Sequence, residues 1–253
     1  MDMGIALSVF GLKNPDKDIL LKRTPISSLR QTNLADFNFV SELGSATSTM
    51  KPVSYNEKEN IVSYDVLHYS DTINKPIRVY IEDIEDATFE DSEEHIFKAY
   101  DRPVNAYQKI YKFKVDVDLT KNKIYVFTKK ETANAFIRRF KDSKIIDYES
   151  IYFDLTKTNE LDNIINVVGA WQNSEGRCKK KAYFGMHIDK LEEIEKDKEK
   201  VTSYYVEYEH NNSIVDLFIS RDGRISTQSN ELTNVDLINI FHYLNESIPY
   251  KPT

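Results

Sequence analysis

Residues 111–140 read YKFKVDVDLTKNKIYVFTKKETANAFIRRF, and this stretch decides the fold. Its first eight positions alternate: Tyr111, Phe113, Val115 and Val117 are apolar, while Lys112, Lys114, Asp116 and Asp118 are charged. Successive side chains on a strand point to opposite faces, so the pattern predicts a half-buried strand. Residues 119–122 turn the chain into a hairpin partner at 123–128. Thr128 and Glu131 then have the spacing of a capping box, and Ala133, Phe136, Ile137 and Phe140 recur at i, i+3, i+4 and i+7, the apolar stripe of a helix.

Downstream, 151–155 reads as a short apolar strand. Leu161, Ile164, Ile165 and Val168 repeat the helical spacing behind a Thr158 cap, with Gly169 as the stop. Residues 181–185 predict a strand and 188–200 a charged helix with Leu191 and Ile194 inward. A hairpin follows at 201–209 and 213–220, and Asp222-Gly223 turns the chain into 224–228. Leu237, Ile240, Phe241 and Leu244 mark a closing helix capped by Thr233 or Asn234. Upstream, 4–10, 61–69 and 77–81 read as strands, and 27–43 and 88–100 as helices. No internal repeat is visible. These elements predict an α+β protein of mixed, mostly antiparallel sheets with helices on one face, in two subdomains: an N-terminal α+β region, 1–105, and a C-terminal α+β domain, 106–253.

The chain has 253 residues, long enough to bury a sizeable core, and its single cysteine, Cys178, has no internal disulfide partner. The start, Met1-Asp2-Met3-Gly4, lacks a basic leader, and nowhere do eighteen apolar residues run together. A cytoplasmic protein with no membrane insertion is expected. The net charge of -7 argues against a chain that coats nucleic acid everywhere. Charge is nevertheless uneven: eight acids fall between Glu82 and Glu94 with no Lys or Arg among them, whereas Lys109 to Lys144 holds eleven lysines and arginines against four acids. One basic sector on an acidic protein is the signature of a localised anion site, set against the plainer reading of two solvated faces.

Chemistry at a catalytic site finds little support. Asp116 and Asp118, two apart on a strand, share a face and are the one candidate for a metal-dependent nuclease or nucleotidyltransferase, but Lys112 and Lys114 share that face, which is the solvent side. The five histidines have no Cys or second His at ligand spacing, and glycine-rich phosphate loops are missing, so no cofactor is expected. Cations remain. Arg138, Arg139, Lys141 and Lys144 lie on and just after the helix, and Arg177, Lys179, Lys180 and Lys181 form a second cluster between Trp171 and the strand holding Tyr183 and Phe184. Either cluster suits phosphates, with salt-sensitive, sequence-independent binding. Tyr204, Tyr205 and Tyr208 offer a stacking platform or, as the plainer alternative, cross-strand packing or a dimer seam. The acidic stretch between Glu82 and Glu94 supports a competing reading, a protein-protein module acting as adaptor, inhibitor or DNA mimic.

Residues 111–140, together with AYFG at 182–185 and YYVEYEHNNSIVDLFISRDGRISTQSNELTNVDLINI at 204–240, resemble RexA-type phage-exclusion proteins. The resemblance covers much of the second half of the chain and none of the first. It implies a component of phage defence or abortive infection, a homodimer that engages DNA with little sequence preference and performs no chemistry itself. A partner protein would then act as effector.

Overall fold

The computed structural model describes residues 5–28, 48–70, 109–174 and 179–250. Within them lie twelve strands: β1 (Ala6–Lys13), β2 (Ile26–Ser27), β3 (Ser48–Asn56), β4 (Ile61–Tyr69), β5 (Ile110–Asp118), β6 (Lys123–Phe127), β7 (Asp147–Ser150), β8 (Ile164–Asn173), β9 (Lys180–Phe184), β10 (Val201–His210), β11 (Ser213–Ser220) and β12 (Arg224–Ser226). All belong to one sheet in the order β2-β3-β4-β5-β6-β1-β12-β11-β10-β8-β9, with β7 paired to β1 beyond β12. Every pairing between these strands is antiparallel. The α-helices are α1 (Lys17–Leu20), α2 (Lys130–Asp142), α3 (Glu192–Lys196) and α4 (Asn234–Ser247).

Register assigns each side chain to a face, because residues directly opposite in a ladder point the same way. Val9 faces Tyr125 and Phe10 faces Ile124, so adjacent residues of the central strand serve opposite faces of the sheet. Phe10, Ile124, Val126, Val115, Phe113 and Tyr64 define the front face, where Ala133, Phe136, Ile137 and Phe140 of α2 close a core over β3 to β6. Leu7, Val9, Tyr125, Ile225, Ile219, Tyr204 and Val206 define the back face, where Leu237, Ile240, Phe241 and Leu244 of α4 close a second core over β12, β11, β10 and β8. Edge-to-face contacts pin each helix: Phe113 with Phe136 at 5.4 Å on the front, Tyr125 with Phe241 at 6.4 Å on the back.

The expected arrangement, mixed sheets with helices on one face in two subdomains, is therefore corrected. One sheet-dominated body takes its place, with α2 and α4 on opposite faces of a single sheet, each over its own half. Periodicity reveals that a helix has an apolar stripe but not which face of the sheet receives it. Within that sheet β4 pairs with β5 and β1 with β6.

Local differences have identifiable causes. The predicted helix at 161–168 is instead the start of β8, whose β-branched run Ile164, Ile165, Val167 and Val168 ladders against β10. Residues 151–155 contribute one bridge, Phe153 to Pro249, in place of a strand. The charged helix expected at 188–200 breaks into short turns flanking the five residues of α3. The N-cap of α2 is Lys129, one residue later than the capping-box spacing implied, and its side chain makes no capping bond. Helix α4 carries a complete box: Thr233 Oγ1 accepts from the Asp236 amide while Asp236 accepts from the Thr233 amide. The helices expected at 27–43 and 88–100 and the strand at 77–81 fall wholly or mostly outside the described residues.

Candidate nucleic-acid interface

With α2 over the front of one half and α4 over the back of the other, each half of the sheet leaves its other face without a helix among the described residues. On the front of the β11, β10, β8, β9 half, register sets out four rows. Lys180 faces Asn173 in the first. Ala182, Trp171, Ser203, Ser220 and Arg224 form the second, and Phe184, Gly169, Tyr205 and Phe218 the third. Glu207 and Asp216 face each other in the fourth. Alternate residues of a strand are about 7 Å apart, so the rows run cation, aromatic, aromatic, carboxylate at that interval.

Four rings stand in the two middle rows, and three of them are in contact. Trp171 meets Phe184 edge-on at 5.4 Å and Phe218 at 5.2 Å. Gly169 makes that packing possible: a Cβ there would lie 3.2 Å from Tyr205 Cβ and 3.3 Å from the Phe184 ring. Phe184 is 68 % exposed, while Trp171, Tyr205 and Phe218 are half-buried. Rings on a sheet face that no helix among the described residues covers offer a stacking surface, with Phe184 the most open to solvent. Burial and a hydrogen bond to Asp216 push the Tyr205 hydroxyl pKa up, so it stays protonated at neutral pH.

The predicted cations divide. Lys179 and Lys180 are exposed at the outer edge of the patch, with Lys180 on its face, while Lys181 pairs with Gln172 and points to the back. Arg177 lies outside the described residues, as do Cys178 and the acidic stretch 82–94. On α2, Arg138 is exposed and stands on the same side of the sheet as the patch. Arg139 is 6 % exposed and donates to the Tyr69 carbonyl, a structural role that joins α2 to the end of β4. Lys141 pairs with Asp147 at 3.5 Å and lies over the Tyr148 ring. Lys144 is exposed beyond the helix, in the left-handed region at φ 57°. Helix and edge-strand cations are not one cluster: β9 lies five strands beyond β1, about 24 Å at ordinary strand spacing.

Of the three tyrosines, only Tyr205 joins the patch, since Tyr204 and Tyr208 are buried in the back core. Register contributes what the sequence reading missed, namely Trp171, Phe184, Phe218 and Arg224. The available signal was an aromatic at an outward position of an amphipathic strand, as Phe218 is between buried Leu217 and Ile219.

The carboxylate pair does not build a metal site. Asp118 is buried and accepts from the Thr120 and Lys121 amides, holding the β5-β6 turn. Burial pushes the Asp116 carboxyl up, against a hydrogen bond from Ser63 and the charge of Lys114. Among the described residues no three of His, Cys, Asp and Glu gather into a set able to hold a metal ion, and no helix is long and apolar enough to cross a membrane. No protein-family model matches this chain, and a search of curated proteins finds no match.

Proposed function

We propose that the protein is a non-enzymatic nucleic-acid-binding component of phage defence, and that the ring-bearing front face of β11, β10, β8 and β9 is where the polymer lies. The observation that supports this most is the contact of Trp171 with Phe184 and Phe218, with Tyr205 in the same register row, beside an edge bearing Lys179 and Lys180. Stacking on aromatic rings is worth about 1–3 kcal/mol per base and tolerates any sequence, while lysines track the backbone. An acidic protein can bind in this way because the field that matters is local. Arg224 on the patch and Arg138 on α2 extend the positive side of the front face. The resemblance of 111–140 and 204–240 to RexA-type proteins supplies the biological setting.

Mobility-shift titrations against salt test the reading. Binding at low salt that weakens steadily as salt rises, and that is lost in Trp171→Ala, is expected; equal binding by Trp171→Ala would overturn it.

A further inference from the structure

The carboxylate row beside the rings is unexpected on a surface meant for a polyanion, and its position gives it a use. Glu207 and Asp216 face each other across β10 and β11, one row beyond Tyr205 and Phe218 and on the opposite side of the rings from Lys180. Asp216 is exposed and Glu207 half-buried, and Asp216 already accepts from the Tyr205 hydroxyl. A nucleotide has the same order of chemistry: an anionic phosphate, a flat ring, and a base edge. Laid with its phosphates toward the lysine edge and its bases on Trp171, Phe184 and Phe218, it sets the Watson–Crick edge against the carboxylates.

We propose that this face selects unpaired nucleic acid whose bases carry an exocyclic amino group, with Glu207 and Asp216 as the residues that set the preference. The inference rests on the nucleic-acid reading above. A carboxylate accepts hydrogen bonds, so it pairs with the exocyclic amino groups of cytosine, adenine and guanine, whereas thymine and uracil offer only a ring N–H flanked by two carbonyls that repel it. A duplex hides both the ring faces and the Watson–Crick edges, which leaves single strands as the ligand.

The test compares fluorescein-labelled oligo(dC), oligo(dA) and oligo(dT) by anisotropy with the full chain, alongside the Glu207→Gln/Asp216→Asn double variant and Trp171→Ala, each checked for a native melting transition. Oligo(dC) and oligo(dA) are expected to bind about tenfold tighter than oligo(dT). In the double variant oligo(dT) should gain affinity and the preference disappear. Equal affinity for the three polymers, or a gain shared equally by all three in the double variant, overturns the selectivity while leaving the platform in place, provided Trp171→Ala still abolishes binding. Wild-type-like binding by Trp171→Ala overturns both. A dimer that Trp171→Ala or Phe184→Ala dissociates, together with no oligonucleotide binding, assigns the face to a second copy of the chain and also overturns both.

Discussion

On one side of β1 the face without a helix carries a run of lysines and aspartates with Leu67, Ile110 and Phe127 around it; on the other it carries a cluster of rings in contact. Lys51, Asp65 and Lys114 face one another across β3, β4 and β5, a row of alternating charge that water solvates readily. The equivalent rows beyond β1 hold Trp171, Phe184, Tyr205 and Phe218. The halves are otherwise built alike: β4-β5-β6 leads into α2, β10-β11-β12 leads into α4, and the two meanders flank β1. Both helices bury apolar residues at i, i+3, i+4 and i+7, Ala133, Phe136, Ile137 and Phe140 in one, Leu237, Ile240, Phe241 and Leu244 in the other. Rotation by half a turn about β1 exchanges the meanders, the helices and the two faces. Against that common plan, the contact of Trp171 with Phe184 and Phe218 has no counterpart among the described residues of the other helix-free face, which is why the proposed function is located there.

Phe136 and Phe241 are both fully buried, so Phe136→Ala and Phe241→Ala should each cost about 3–5 kcal/mol in denaturant unfolding. Phe184→Ala on the open face should cost about 1 kcal/mol or less. A large loss at Phe184 would mean that its ring serves stability, and the contrast between covered and open faces would fail.

The helix starts separate the halves more finely. Thr233→Ala removes the α4 cap and should cost about 1 kcal/mol, whereas Lys129→Ser, supplying the side-chain acceptor that α2 lacks, should stabilise by about 0.5–1 kcal/mol. Thermal melts of the two variants would move in opposite directions. Equal shifts would show that the α2 start is satisfied in another way.

The smallest effect concerns pH. His242 of α4 reaches across to the other half, with Nε2 2.9 Å from the Tyr125 hydroxyl and 3.1 Å from Lys121 Nζ. Burial, then the charges of Lys121 and Lys123, lower its pKa below the ordinary value. The unfolded chain therefore takes up the proton first, so stability is full above about pH 6.5 and declines as pH falls toward the folded-state value. His242→Gln should flatten that decline, and an unchanged slope would place its origin elsewhere.

The two helix stripes and the hairpins of 111–128 and 201–220 were legible because each is a local pattern with one period. The face each helix covers was not, since it depends on whether Phe10 or Val9 points toward it, a matter of register between strands distant in sequence. Residues 161–168 misled because Leu161, Ile164, Ile165 and Val168 satisfy helical spacing while pairing with β10 decides the outcome. Gly169, which resembles a helix stop, is the floor beneath the Phe184 ring. The lysines of 179–181 looked like one cluster, yet strand alternation sends Lys180 and Lys181 to opposite faces. The ring patch joins residues up to 47 positions apart, Trp171 to Phe218, through three ladders, and no window of sequence contains it.

Trp171 is the chain's single tryptophan and lies at the centre of the patch, so its own fluorescence reports on the surface without a label. Titrating an unlabelled single-stranded oligonucleotide at low salt should quench that emission along the same isotherm that anisotropy gives for binding. Emission that stays constant while the oligonucleotide saturates the protein would contradict the account, since the polymer would then be held away from the rings.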